Sequence, residues 1–99
     1  MLLGLVSCDK GYQARFANYY NERMDSVVVG ASGAVFTNVA FKEVSAYLPV
    51  KQGKHSLLFI TASKKKFTGI FTVPSSGTGR YTIQIDGIQQ VSILEEDPQ

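Results

Sequence analysis

Arg80-Tyr81-Thr82-Ile83-Gln84-Ile85-Asp86 alternates polar and apolar side chains without a break. Successive side chains on an extended backbone point to opposite faces. This spacing therefore puts Tyr81, Ile83 and Ile85 on one face and Arg80, Thr82, Gln84 and Asp86 on the other, the pattern of a strand with one buried side. The pattern recurs along the chain, and no apolar stripe at helical spacing is sustained after Cys8. Glu43 to Val50 sets Val44, Ala46, Leu48 and Val50 inward against Glu43, Ser45, Tyr47 and Pro49. Pro49 has no N–H to give to a ladder, which assigns that strand to an edge or a bulge. Phe67, Phe71 and Val73 oppose Thr68 and Thr72, while Leu57-Leu58-Phe59-Ile60 is apolar on both faces, as a central strand packed on each side would be.

Turn chemistry separates these runs. Ser32-Gly33, Lys51-Gln52-Gly53, Pro74 to Gly79 and Asp86-Gly87 each supply glycine where the chain must reverse. Turn signals about 8–12 residues apart indicate an all-β sandwich or barrel. Strands are expected near Gln13–Asn18, Asp25–Val29, Val35–Phe36, Glu43–Val50, His55–Thr61, Phe67–Val73, Arg80–Ile85 and Gln89–Leu94. In the last hairpin a two-residue loop would split the apolar set between two faces. A three-residue loop Asp86-Gly87-Ile88, or a bulge, instead pairs Ile83 with Val91 and Tyr81 with Ile93, keeping all four on the core side.

Ninety-nine residues make one domain with one modest core. An apolar fraction of 44% excludes wholesale disorder, and a formal charge of +2 falls short of a nucleic-acid footprint unless the charges cluster. The single Cys excludes an internal disulfide, and one Cys with one His leaves few parts for a metal site or a nucleophile–base pair. No metal, cofactor or catalytic set is expected, and the chain is read as not an enzyme.

Met1 to Cys8 is apolar up to the thiol, and the chain turns polar at once with Asp9-Lys10-Gly11. Leu5-Val6-Ser7-Cys8 resembles the lipobox of bacterial lipoproteins, in which a small residue precedes a cysteine that carries lipid. Two or three acyl chains anchor a protein stably where one does so marginally. No charge precedes Cys8, and the apolar run is shorter than a full secretory signal. Two readings stand: translation starting upstream of Met1, or a short hydrophobic start to a cytosolic chain. On the first, residues 1–11 are the remnant of a signal and tether, residues 12–97 are the domain, and the partner of the anchor is a membrane. The address is then the bacterial cell envelope, extracytoplasmic and lipid-anchored, or alternatively secreted.

Ala14-Arg15-Phe16-Ala17-Asn18, Asp25 to Val29, Asn38-Val39-Ala40-Phe41, Val44 to Val50 and Gly53-Lys54-His55 follow one another in a familiar order. This order resembles the bacterial domain-of-unknown-function family numbered forty-three ninety-seven, an extracytoplasmic module common in lipoproteins. Arg80-Tyr81-Thr82-Ile83 and Leu94-Glu95-Glu96-Asp97 resemble that family's close. The chain differs from its pattern at Tyr19 to Met24, and the resemblance covers about residues 13–97. It implies an immunoglobulin-like antiparallel sandwich of seven to eight short strands, and it carries over no catalytic residue.

Three groups of side chains are candidate binding residues. Lys64-Lys65-Lys66 is the one charge cluster, either a contact for an anionic polymer or a solvated hairpin loop that discourages edge pairing. Tyr19, Tyr20 and Tyr47 offer flat apolar faces with polar handles, the tools of glycan and protein contact; Tyr20 alternatively caps one end of the sandwich. His55 is expected as an exposed strand residue. Gly77-Thr78-Gly79-Arg80 lacks the spacing of a phosphate loop and reads as a hairpin turn, and Glu95 to Gln99 reads as a fraying acidic tail. The expected role is a non-enzymatic envelope module with a structural or interaction function. The alternatives are a glycan-binding or other surface-ligand-binding module that uses the three tyrosines, and a small barrel holding nucleic acid through Lys64 to Lys66.

Overall fold

A computed structural model describes residues 11–96. The lipobox-like segment with Cys8, and Asp97 to Gln99, lie outside the described residues. Eight strands follow in order: β1 (Tyr12–Asn18), β2 (Met24–Val29), β3 (Ala34–Val39), β4 (Leu48–Val50), β5 (Gly53–Thr61), β6 (Lys66–Val73), β7 (Gly79–Ile85) and β8 (Val91–Glu95). They form two four-stranded sheets, β4-β1-β7-β8 and β3-β2-β5-β6, called here sheet A and sheet B. The all-β sandwich expected from the alternation is the fold observed.

Every pairing is antiparallel except one: β1 runs parallel to β7, from Tyr12↔Gly79 to Asn18↔Ile85. Parallel neighbours need a long crossover, and here the excursion through all of sheet B supplies it. Between the sheets lies an aromatic seam. Phe16 packs on Phe36 and Phe59 with ring centroids 6.2 and 5.9 Å apart, and Tyr81 meets Phe71 edge-on at 5.2 Å and Tyr12 at 5.8 Å. Such pairs contribute about 0.5–1.5 kcal/mol each beyond their buried area. In this core they hold the sheets together without a tryptophan or a disulfide.

Four expectations are corrected. Regular pairing in the Glu43–Val50 stretch is confined to Leu48–Val50; Val44 makes one isolated bridge to Ala17, and Val44 and Ala46 are exposed. The cause is the Ser45 hydroxyl, which accepts the Phe16 N–H at 2.9 Å in place of a ladder carbonyl. Pro49 does lie on an edge strand, since β4 pairs with β1 alone. In the β7–β8 hairpin Ile83 faces Ile93 and Ile85 faces Val91. The three-residue loop is Gly87-Ile88-Gln89, because Asp86 Oδ1 accepts the Ile88 and Gln90 N–H groups and Asp86 N–H donates to Gln90 O. The apolar set nonetheless shares the core side. Finally, Glu95 and Glu96 do not fray: Glu95 ends β8 and Glu96 N–H donates to Arg80 O. Central β5 is packed on one face only; Leu57 and Phe59 are buried, while Leu58 and Ile60 stay half-exposed on the outer side of sheet B.

Asn18 ties one end of the sandwich together. It is fully buried; its Nδ2 donates to Glu22 O and Val39 O, both at 2.9 Å, and its Oδ1 accepts the Tyr20 N–H at 3.0 Å. Through these bonds the loops at residues 19–23 and 40–47 join the ends of β1 and β3. The loops at 62–65 and 86–90 sit at the same end of the strands, here called the loop pole. Gly11, the turn at 30–33 and the turns at 51–52 and 74–78 occupy the opposite pole. Removing the Asn18 amide leaves the buried Val39 carbonyl and Tyr20 N–H, and the half-buried Glu22 carbonyl, without this partner. Asn18→Ala is expected to lower stability by about 2–4 kcal/mol in equilibrium denaturation. Gln89 sits at φ 68, a conformation in which glycine is unstrained. Gln89→Gly is expected to raise stability by about 0.5–1 kcal/mol in the same assay.

Candidate interaction surfaces

The loop pole gathers apolar side chains that the core does not use. Ile88, at the tip of the β7–β8 hairpin, is 80% exposed, and Phe41, Val44 and Tyr19 are 46%, 43% and 42% exposed. Backbone bonds bring their segments together: Lys42 N–H donates to Asn18 O at 2.7 Å, Asn18 N–H to Glu43 O at 3.0 Å, and Tyr19 N–H to Ile85 O at 2.9 Å. The carboxylates of this pole are engaged in shaping its turns. Glu43 Oε1 accepts the Ala40 N–H, Asp86 caps its own hairpin, and Glu22 Oε1 accepts the Ser63 N–H at 2.8 Å. Lys42 lies over the Phe41 ring, its ammonium 5.3 Å from the centroid.

The three candidate tyrosines do not share a face. Tyr19 is on the loop pole. Tyr20 is buried and meets Phe67 edge-on at 5.3 Å, so it closes the core end as a cap. Tyr47 lies on the outer face of sheet A, with the Arg15 and Arg80 guanidinium carbons 5.1 and 4.9 Å from its ring centroid. Its hydroxyl donates to Glu96 Oε2, and that carboxylate pairs with Arg15 at 3.4 Å. The Tyr47 ring is thus engaged by the protein's own cations, which removes it as a free sugar platform, and Tyr20 has the place expected of a cap and not that of a binding ring.

Lys64, Lys65 and Lys66 are dispersed. Lys64, at φ 72, turns the β5–β6 hairpin and pairs with Asp25 at 3.0 Å; Lys65 approaches Glu22 at 3.8 Å; Lys66 opens β6. Exposed pairs of this kind contribute little to stability, but they divide the cluster between two acids and a strand. His55 is buried, not exposed. It shares the inward face of Leu57 and Phe59, a placement that its odd position on β5 already signals, and its Nε2 lies 2.7 Å from Lys51 O and 3.3 Å from Ser32 Oγ. Lys51 O can only accept, so Nε2 carries a proton, and Nδ1 is buried with no hydrogen-bond partner among the described residues. Asn18 and the Ile88 tip were not singled out from the sequence. An isoleucine inside an Asp-Gly-Ile-Gln turn was the available sign of the second.

No protein-family model matches the sequence, and neither does any curated protein. Among solved structures the chain is similar to an NMR structure of a protein from Eubacterium rectale, at 15% identity, 92% coverage of each chain and a TM-score of 0.58. That likeness is one of fold.

Burial, then the hydrogen bond to Glu96, pushes the Tyr47 phenol above its ordinary value, and burial followed by the Glu95 carboxylate does the same for Tyr81. In the unfolded chain these protons leave near pH 10, while the folded chain keeps them. The associated stability is complete below pH 10 and is lost as pH rises through the folded values. Alkaline titration of tyrosinate absorbance is expected to show a late-ionising component that shrinks by one ring in Tyr47→Phe.

Proposed function

We propose that the protein is a non-enzymatic interaction module of the bacterial cell envelope, held by lipid on Cys8 and presenting the loop pole to a partner protein. The observation that supports this reading most is the gathering of Tyr19, Phe41, Val44 and Ile88, exposed on three separate loops, at the pole opposite Gly11. Soluble domains rarely leave such groups clustered unless something covers them, and loops carried on a rigid sandwich are the usual place for recognition. A chain tethered through residues 8–11 has its loop pole turned away from the tether, because β1 runs from Tyr12 at one pole to Asn18 at the other. The resemblance of Leu5-Val6-Ser7-Cys8 to a lipobox and of residues 13–97 to an extracytoplasmic family supports the address.

Metabolic labelling with a clickable fatty acid in a bacterial host, from the full upstream reading frame, is expected to mark the chain and to fail in Cys8→Ser. Absence of label on the unsubstituted chain overturns the anchoring. A photo-crosslinking residue at position 88 or 41 is expected to give a discrete protein adduct in intact cells, and one at Gln52 on the other pole to give none. Equal yields from both poles remove the assignment of the loop pole.

A further inference from the structure

Four strands end the two sheets, and three are blunted. β4 is three residues long with Pro49 in its middle, β8 is five residues long and ends on Glu95, and β3 is broken by Asn38 at φ 54. The fourth, β6, has eight residues in unbroken register with β5, from Lys66 opposite Ile60 to Val73 opposite Gly53. It contains no proline, no bulge and no left-handed residue, and its one charge is at its start. Sheets that stay unpaired blunt such an edge.

The hydrogen-bond phase shows which groups this edge offers. Thr61 N–H donates to Lys65 O at 2.9 Å, so the bonded rungs of the hairpin fall on the odd residues of β6. The N–H and C=O groups of Phe67, Gly69, Phe71 and Val73 turn toward β5. Those of Lys66, Thr68, Ile70 and Thr72 turn outward, and among the described residues no strand pairs with them. Ile70 on this edge is 53% exposed, and Leu94 on neighbouring β8 is 47% exposed. Phe67, Val91 and Ile93 are half-buried along the same open side of the sandwich.

We propose that the free edge of β6 pairs with the same edge of a second copy, antiparallel about a two-fold axis at Gly69, to make a continuous eight-stranded sheet. In that register Lys66 lies opposite the partner's Thr72 and Thr68 opposite the partner's Ile70. Every outward N–H and C=O of the four residues then finds its complement, and no two like charges face each other. The strand is complementary to itself under the two-fold, which is why a second copy, and not an unrelated peptide, is the occupant. Two-fold pairing inverts the poles.

The test is the molar mass of the full chain carrying Cys8→Ser, by light scattering over a wide dilution series. Twice the 10.8 kDa chain mass is expected at high concentration, with half that on dilution. Thr68→Pro removes an N–H that β5 does not use, so it is expected to leave the fold intact and abolish the dimer. Ile70→Lys is expected to do the same by setting like charges across the axis, and it decides the matter if the proline variant does not fold. Amide exchange gives a third reading: Thr68, Ile70 and Thr72 protected only in the dimer, Phe67 and Phe71 protected throughout. A monomer at every concentration, a dimer that survives both substitutions, or open-ended growth each overturns the proposal.

Discussion

The parallel pairing of β1 with β7 is the constraint on which the rest of the sandwich depends. It places the first strand at the centre of sheet A, with β4 on one side and β7 on the other, so that Phe16 and Ala14 point into the middle of the core. Phe16 then meets Phe36 and Phe59 from the opposite sheet, and the aromatic seam runs on through Phe71, Tyr81 and Tyr12. Moving β1 by one residue against β7 would turn Ala14 and Phe16 to solvent and bring Gln13 and Arg15 inward. The register is fixed by that penalty. At the far end of the ladder the same strand delivers Asn18, whose amide satisfies groups from the 19–23 loop and from the end of β3.

Much of this architecture was legible because period-two alternation is a local signal. Tyr81, Ile83 and Ile85 declare their face without reference to any neighbour, and so do Phe71 and Val73. The segment from Glu43 to Val50 alternates as cleanly but forms only three residues of strand. There the hydroxyl of Ser45 competes for the edge of β1, a contest between side chain and backbone that hydropathy does not register. The parallel partnership of β1 and β7 has no local mark at all, since it joins residues more than sixty positions apart. Asn18 was unreadable for the same reason: Val39 O and Glu22 O become its acceptors only when the loops have closed. His55 is legible in the sequence as a core residue, because a histidine in phase with Leu57 and Phe59 belongs to their face. Of the candidate binding residues, Tyr19 and Tyr47 are at the surface as read, whereas Tyr20 is core and the lysines are divided.

The outer surfaces differ in chemistry. Sheet A carries Gln13, Arg15, Arg80, Thr82 and Gln84 with Tyr47 laid over the arginines, a polar face whose charges are largely matched within the chain. Sheet B carries Val28, Val35, Leu58, Ile60 and Ile70 among threonines, with Lys54 and Lys66 toward its two ends. The acids of the loop pole hold turns in shape, and that leaves apolar tips as the most prominent feature of that end. A domain built this way divides its surface: the seam gives stability, sheet A matches most of its charges within the chain, and the loop tips and the β6 edge are left uncovered among the described residues.

The position of β1 also decides when this chain can close during synthesis. Strands β2 and β3, and β5 and β6, are neighbours in sequence and can pair as soon as each has emerged. Sheet A cannot: β1 emerges before them and has only the short edge strand β4 beside it until Gly79–Ile85 appears. Because non-local pairing of this kind is slow to form, most of the chain passes through a ribosomal tunnel or a translocation pore before the core can be sealed. The two sheets therefore mature in order: the hairpins of sheet B are complete while sheet A still waits for its seventh strand, and the core stays open until nearly all of the chain has been made.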